Sequence, residues 1–264
     1  MQCQGTLTRF GAALLFVFVL PQIGHGQNAD AVGMVQRVQG DAVGMVQRVQ
    51  GHVSIIHSGK SVDALDDMAI SLNDRLVTGA EARLQIMLTD DTQITLGENA
   101  EAVITQYQFT PLVSGNKGVV VVEVSKGAFL LITGRISQLS DKRIEVKTAL
   151  AGLATTGAEF WAGPTGGDLE GVAVFEGTVN VSNEGGAVAL SARGVTRSRV
   201  QTQALGLRSR SSTDPIGTTL TRGQGPSQAA IWPQEKTDRA VDAITFDSEI
   251  ARNSKSKIGS TSAP

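Results

Sequence analysis

The sequence predicts an all-β protein: one β-sandwich or short β-roll domain, then a short C-terminal helix and a disordered tail. Three observations carry this. Apolar and polar residues alternate in short segments, the period of a strand with one buried face. Gly, Asn and Asp punctuate those segments, as turns require. The composition is 41% hydrophobic and 18% charged, with 30 glycines, which suits a turn-rich globular chain.

Residues 1–26 read as an export signal. Arg9 supplies the positive start, Phe10 to Leu20 is apolar, and Pro21 breaks the run. Gly24-His25-Gly26 then offers the small residues that a signal peptidase reads. The apolar run is about half the roughly 20 residues needed to span a bilayer. The expected location is therefore the periplasm or the cell surface. Cys3 is the only cysteine and precedes the apolar run. The mature chain is expected to carry no disulfide, thiolate nucleophile or cysteine metal site.

A repeat follows. DAVGMVQRVQG fills residues 30–40 and returns unchanged at 41–51. Eleven residues are too few for a solenoid unit. The first copy is expected to be a tolerated terminal extension. The second runs directly into the domain and is expected to be its first strand.

The β domain is expected over residues 43–193. Val49, Gly51, Val53 and Ile55 fall on one face, with Gln50, His52 and Ser54 on the other. Leu84, Ile86 and Leu88 alternate with Arg83, Gln85 and Met87; Ile94 and Leu96 follow the Asp90-Asp91 turn, and Ala102 and Ile104 come next. The run from Val119 to Val124, valine but for Glu123, predicts a strand buried on both faces. Phe129 and Leu131 follow the Lys126-Gly127 turn, and Ile144 and Val146 alternate with Glu145 and Lys147. Phe175, Val179 and Val181 share a parity, and Asn183-Glu184-Gly185-Gly186 signals a hairpin.

Beyond Arg193 the character changes. Residues 194–230 read as a Ser/Thr/Arg-rich loop or linker. Residues 231–250 predict a helical segment: Pro233 suits a first turn, and Thr237, Val241 and Ile244 recur at helical spacing. Trp232 and Phe246 are placed to pin it to the β domain. Residues 251–264 read as a disordered tail.

Catalytic parts are scarce. His25 leaves with the signal. His52 and His57 are five residues apart, so a strand puts them on opposite faces, and neither lies near a Gly-x-Ser-x-Gly elbow. The acids gather at turns such as Asp66-Asp67 and Asp90-Asp91, where Asp bonds its own backbone. The glycine-rich stretch at 163–168 lacks a Gly-Lys-Ser/Thr ending and opens no helix, so it reads as a bend, not a phosphate cradle. No catalytic residue, cofactor or metal ligand is expected. Aromatics at 4% and a net charge of -2 argue against a nucleic-acid partner. Two sets of residues are candidates for contact with an envelope protein or glycan. One is a loop bearing Thr156, Gly157, Glu159, Phe160, Trp161 and Asp168. The other is an anion-binding set, Arg197, Arg199, Arg208 and Arg210, suited to lipid head groups or acidic glycans.

Two stretches resemble the FecR domain family. Asn73 to Ile104 (NDRLVTGAEARLQIMLTDDTQITLGENAEAVI) is similar to its turn, "T-G", alternating strand, acidic turn, second strand and "L-G". Ile144 to Leu190 is similar to its second half, where "V-x-T", "R-G-T-x-F" and "V-x-x-G-x-V-x-V" follow in order. Here the "R-G-T" is Thr156-Gly157-Ala158, and Asp90-Asp91 stands where Asp-Gly is usual. Gly157 is expected to be kept because glycine can take a positive φ. The resemblance implies a non-enzymatic envelope protein, often a signal relay joining a siderophore receptor to a sigma factor. Nine residues precede the apolar run, too few for a sigma-holding segment, so an exported contact domain is the leading expectation and a sensor of that relay type the alternative.

Overall fold

The alternating segments become strands. A computed structural model describes residues 42–111, 116–167, 169–192 and 215–247. The expected signal, the first repeat copy, Asp168, the four candidate arginines and the tail lie outside these residues. Strands β1 (Ala42–Gln50), β2 (Val53–His57), β3 (Lys60–Asp63), β4 (Ala69–Ser71) and β5 (Arg75–Thr78) come first. Then come β6 (Arg83–Leu88), β7 (Gln93–Leu96), β8 (Glu101–Thr110), β9 (Lys117–Lys126) and β10 (Phe129–Ile132). A 3-10 helix, Arg135–Gln138, leads into β11 (Asp141–Lys147), β12 (Gly152–Gly166), β13 (Leu169–Asn183) and β14 (Gly186–Ala192). Last are β15 (Ile216–Thr221), β16 (Ala230–Ile231) and helix α1 (Gln234–Asp242). Among the described residues no helix is long and apolar enough to cross a membrane.

All sixteen strands join one curled, branched sheet. Its spine is β12 paired along its length with β13. The first part of β12, Gly152 to Thr155, pairs with β11 and so with the arm β9-β8-β5-β2-β3. The later part, Glu159 to Ala162, pairs with β10 and so with the arm β7-β6-β1-β4. Pairing is antiparallel except between β9 and β11. Both arms feed one core, which takes Ile55, Leu76, Ile104 and Val122 from the first and Leu84, Ile86, Leu96 and Leu131 from the second.

The spine changes arm through bulges. The register of β12 against β13 slips between Thr155 and Gly157 and again between Glu159 and Phe160. A bulge turns a strand and moves its side chains to the other face. Leu153 and Thr155 are buried before the slip; Ala158, Phe160 and Ala162 are buried after it. Opposite, the second slip leaves Phe175 out of step with Val179 and Val181. Those valines enter the main core, whereas Phe175 packs in a second cluster, contrary to the shared face their parity predicts. The left-handed residue here is Gly177 on β13, at φ +85°, where a Cβ would also strike the Gly157 carbonyl. Gly157 takes a positive φ as expected, +159° and close to extended, and Gly177, opposite Ala158, takes the left-handed one.

Two further expectations are corrected. The stretch 194–230 is not loop throughout, because β15 occupies 216–221 beside β13. Its Gly and Thr residues hide the strand from a hydrophobic pattern. The helix is shorter than the expected 231–250 segment, beginning after Pro233 and ending at Asp242.

Candidate functional site

Apart from Asp168, which lies outside the described residues, the contact residues expected in a loop lie inside β12. Thr156 is exposed and Gly157 half-buried at the bulge. Phe160 is buried and packs edge-on against Phe129, with ring centroids 5.9 Å apart. Trp161 is buried on the opposite face of the sheet. Neither ring is available to a partner: the extended run from Ala158 to Ala162 is held between β10 and β13. Glycine and threonine at 155–157 mimic loop composition, but they mark a bulge.

Glu159 is buried and faces Glu176 directly across the ladder. Burial, aided by the Glu176 charge, pushes its carboxyl up to about 7. The second cluster lies on this outer face of the sheet. There Trp232 closes over Trp161, centroids 5.7 Å apart and planes at 67°. Ala128, Leu130, Ala173 and Ala240 complete its buried members. Trp232 rests on Gly171 and Gly217, where any Cβ would overlap the indole. The Lys236 ammonium sits 4.2 Å above the Trp232 ring, and burial lowers its basicity. Beyond α1, Phe246 is buried beneath the Arg48 guanidinium, 4.5 Å away, and the Asp247 N–H donates to Gln50 Oε1 at 2.7 Å. The expected pinning by Trp232 and Phe246 is thus present.

The Asp90-Asp91 turn does more than turn. Asp90 is fully buried. It accepts hydrogen bonds from Thr92 Oγ1 at 2.6 Å, Tyr107 OH at 3.1 Å and the Ile136 N–H at 3.3 Å. It therefore ties β6-β7 to β8 and the 3-10 helix. Burial and the Asp90 carboxylate raise the Tyr107 pKa above its usual value. The two described histidines are accounted for. His57 Nδ1 lies 2.6 Å from buried Asp74 Oδ1, whose other oxygen accepts the Ser71 N–H. His52 is exposed, 3.8 Å from Asp63. Among the described residues no group of three metal-ligating side chains occurs.

One feature offers itself to a partner. Strand β3 ends the first arm and pairs only with β2 among the described residues. All four of its residues are exposed. The Ala64 N–H donates inward to Val53. Antiparallel alternation then turns the backbone of Ser61 and Asp63 outward. Val62 is 48% exposed, and Leu65, in the turn that follows, is 64% exposed. The sequence does not single out this strand, because KSVD carries one apolar residue.

Residues 74–180 match a family model described as FecR protein. This stretch is a FecR domain. It runs from the start of β5 into β13 and so includes the bulged corner; β1 to β4 and the Trp232 segment lie outside the matched residues. No curated protein matches the sequence. Two crystal structures of a provisionally assigned anti-sigma factor from Parabacteroides distasonis are similar to this chain at 14% identity, with TM-scores of 0.41 and 0.42. Each pairing covers 62% of this chain and 62% of the other, so the chain spans under two thirds of those proteins.

Proposed function

We propose that this protein is a non-enzymatic regulatory module of the FecR type, exported to the cell envelope, that engages a protein partner by strand addition at β3. The observation that carries the reading is the outward-facing backbone of Ser61 and Asp63 on a fully exposed edge. An extended peptide laid there gains main-chain hydrogen bonds, and Val62 and Leu65 give its apolar residues something to cover. Lys60 and Asp63 flank the edge with charge, which limits indiscriminate pairing. The FecR domain favours a signalling partner over a purely adhesive one. Export rests on the amino-terminal signal.

The test uses Ser61→Pro. Its N–H points outward, so proline deletes the donor offered to a partner and spares the β2 ladder. A photo-crosslinker at Leu65 should capture a defined envelope protein, and Ser61→Pro should abolish that capture with the melting temperature kept. Capture unaffected by the proline would remove strand addition from the reading. Amino-terminal sequencing of the envelope fraction should find a start at Gln27; intact precursor in the cytoplasm would remove export.

A further inference from the structure

We infer that residues Asp30–Gly40 are a second, interchangeable β1, able to replace Asp41–Gly51 in the slot between β4 and β6 of the same chain. The slot makes specific demands, and the first copy meets each one at an offset of eleven residues. Val43 and Val46 are buried; Val32 and Val35 stand in their places. Gly44 lies where a Cβ would strike the Met87 carbonyl and Leu88; the first copy offers Gly33. Gly51 ends the strand at φ +71° against Ala82, a left-handed position that glycine fills without strain; Gly40 is its counterpart. Arg48 covers Phe246, and Gln50 bonds both the Asp247 N–H and the Glu81 carbonyl; Arg37 and Gln39 match them.

The side-chain contacts within the slot are therefore identical in either threading. What differs is the connection to β2. With the second copy in place, Gly51 and His52 alone join β1 to β2. With the first in place, residues 41–51 become an added loop. Loop-closure entropy grows only slowly with length, so the second copy is preferred by a modest margin, and the first acts as a reserve. Deleting either copy produces the same polypeptide, so deletion cannot reveal the exchange, and a substitution confined to one copy is needed.

Val46→Asp puts a charge at a position with no exposure. In the full chain the reserve copy should take the slot, and the midpoint of thermal unfolding should fall by on the order of 5 °C. In a chain lacking residues 30–40, the same substitution should abolish the cooperative transition. Val35→Asp alone should change nothing. Loss of folding by Val46→Asp in the full chain overturns the inference. So does equal tolerance of Val46→Asp with residues 30–40 absent. A direct readout uses the register Met45↔Met87, which predicts Met34 opposite Met87 after exchange. In a Cys3→Ser, Val46→Asp background, Met34→Cys and Met87→Cys should be bridged within one chain by a short thiol-reactive spacer. No bridge, or a bridge joining two chains, overturns threading within the chain.

Discussion

Glu159 is a carboxyl held well above its ordinary range. Its carboxyl stands at about 7 against an ordinary 4.5, because ionising it means charging a buried site opposite Glu176. Between these two values the folded protein holds a proton that the unfolded chain has released. Stability therefore falls as pH rises through that window. Glu159→Gln should flatten the fall, by roughly 3 kcal/mol for a shift of this size. Denaturant midpoints measured from pH 4.5 to 8 check this. Glu170, also raised by burial, should retain part of the slope. Asp90 matters through the hydrogen bonds it accepts. Asp90→Ala strands the Thr92 hydroxyl and the Ile136 N–H and should cost about 3 kcal/mol, read as a lowered unfolding midpoint. Neither role was legible in the sequence. An acid after a strand signals a turn, and only the fold reveals which turn is buried and which strand faces another carboxylate.

Elements were read with uneven success, for physical reasons. Alternation found β6 and β11, where one face is core and the other meets water, and also β7 and β10, although both of their faces are largely covered. It found β1 through the repeat and the β13–β14 hairpin through its glycines. It failed where a strand's inward residues are small. Strand β15 is IGTTLT, and its glycine is demanded by the indole lying on it. The Trp232 segment was expected to dock, yet its seat was invisible because Gly171 and Gly217 come from different strands. That seat makes a sharp prediction. Trp232→Ala should cost about 3–5 kcal/mol and uncover Trp161, the only other tryptophan. The Trp161 emission should then shift to the red, and an apolar dye should bind. Unchanged emission would show that α1 is held by Phe246 alone.

At the scale of the whole molecule, the sheet determines how the protein comes apart. Both arms hang from β12 and β13, and neither has a core of its own, because Leu76 and Leu84 belong to one cluster. Unfolding should be a single transition by calorimetry and by fluorescence; two separated transitions would show that the arms are independent. The candidate site was legible here only in kind. An open sheet has edges, but which of several strands ends an arm depends on long-range pairing that no local pattern records. The shared spine also bears on ancestry. Recombination that traded one arm for a foreign one would strand the hydrophobic face of the other. Novelty enters at the sheet's margins, as an eleven-residue stutter in the gene has already done beside the first strand.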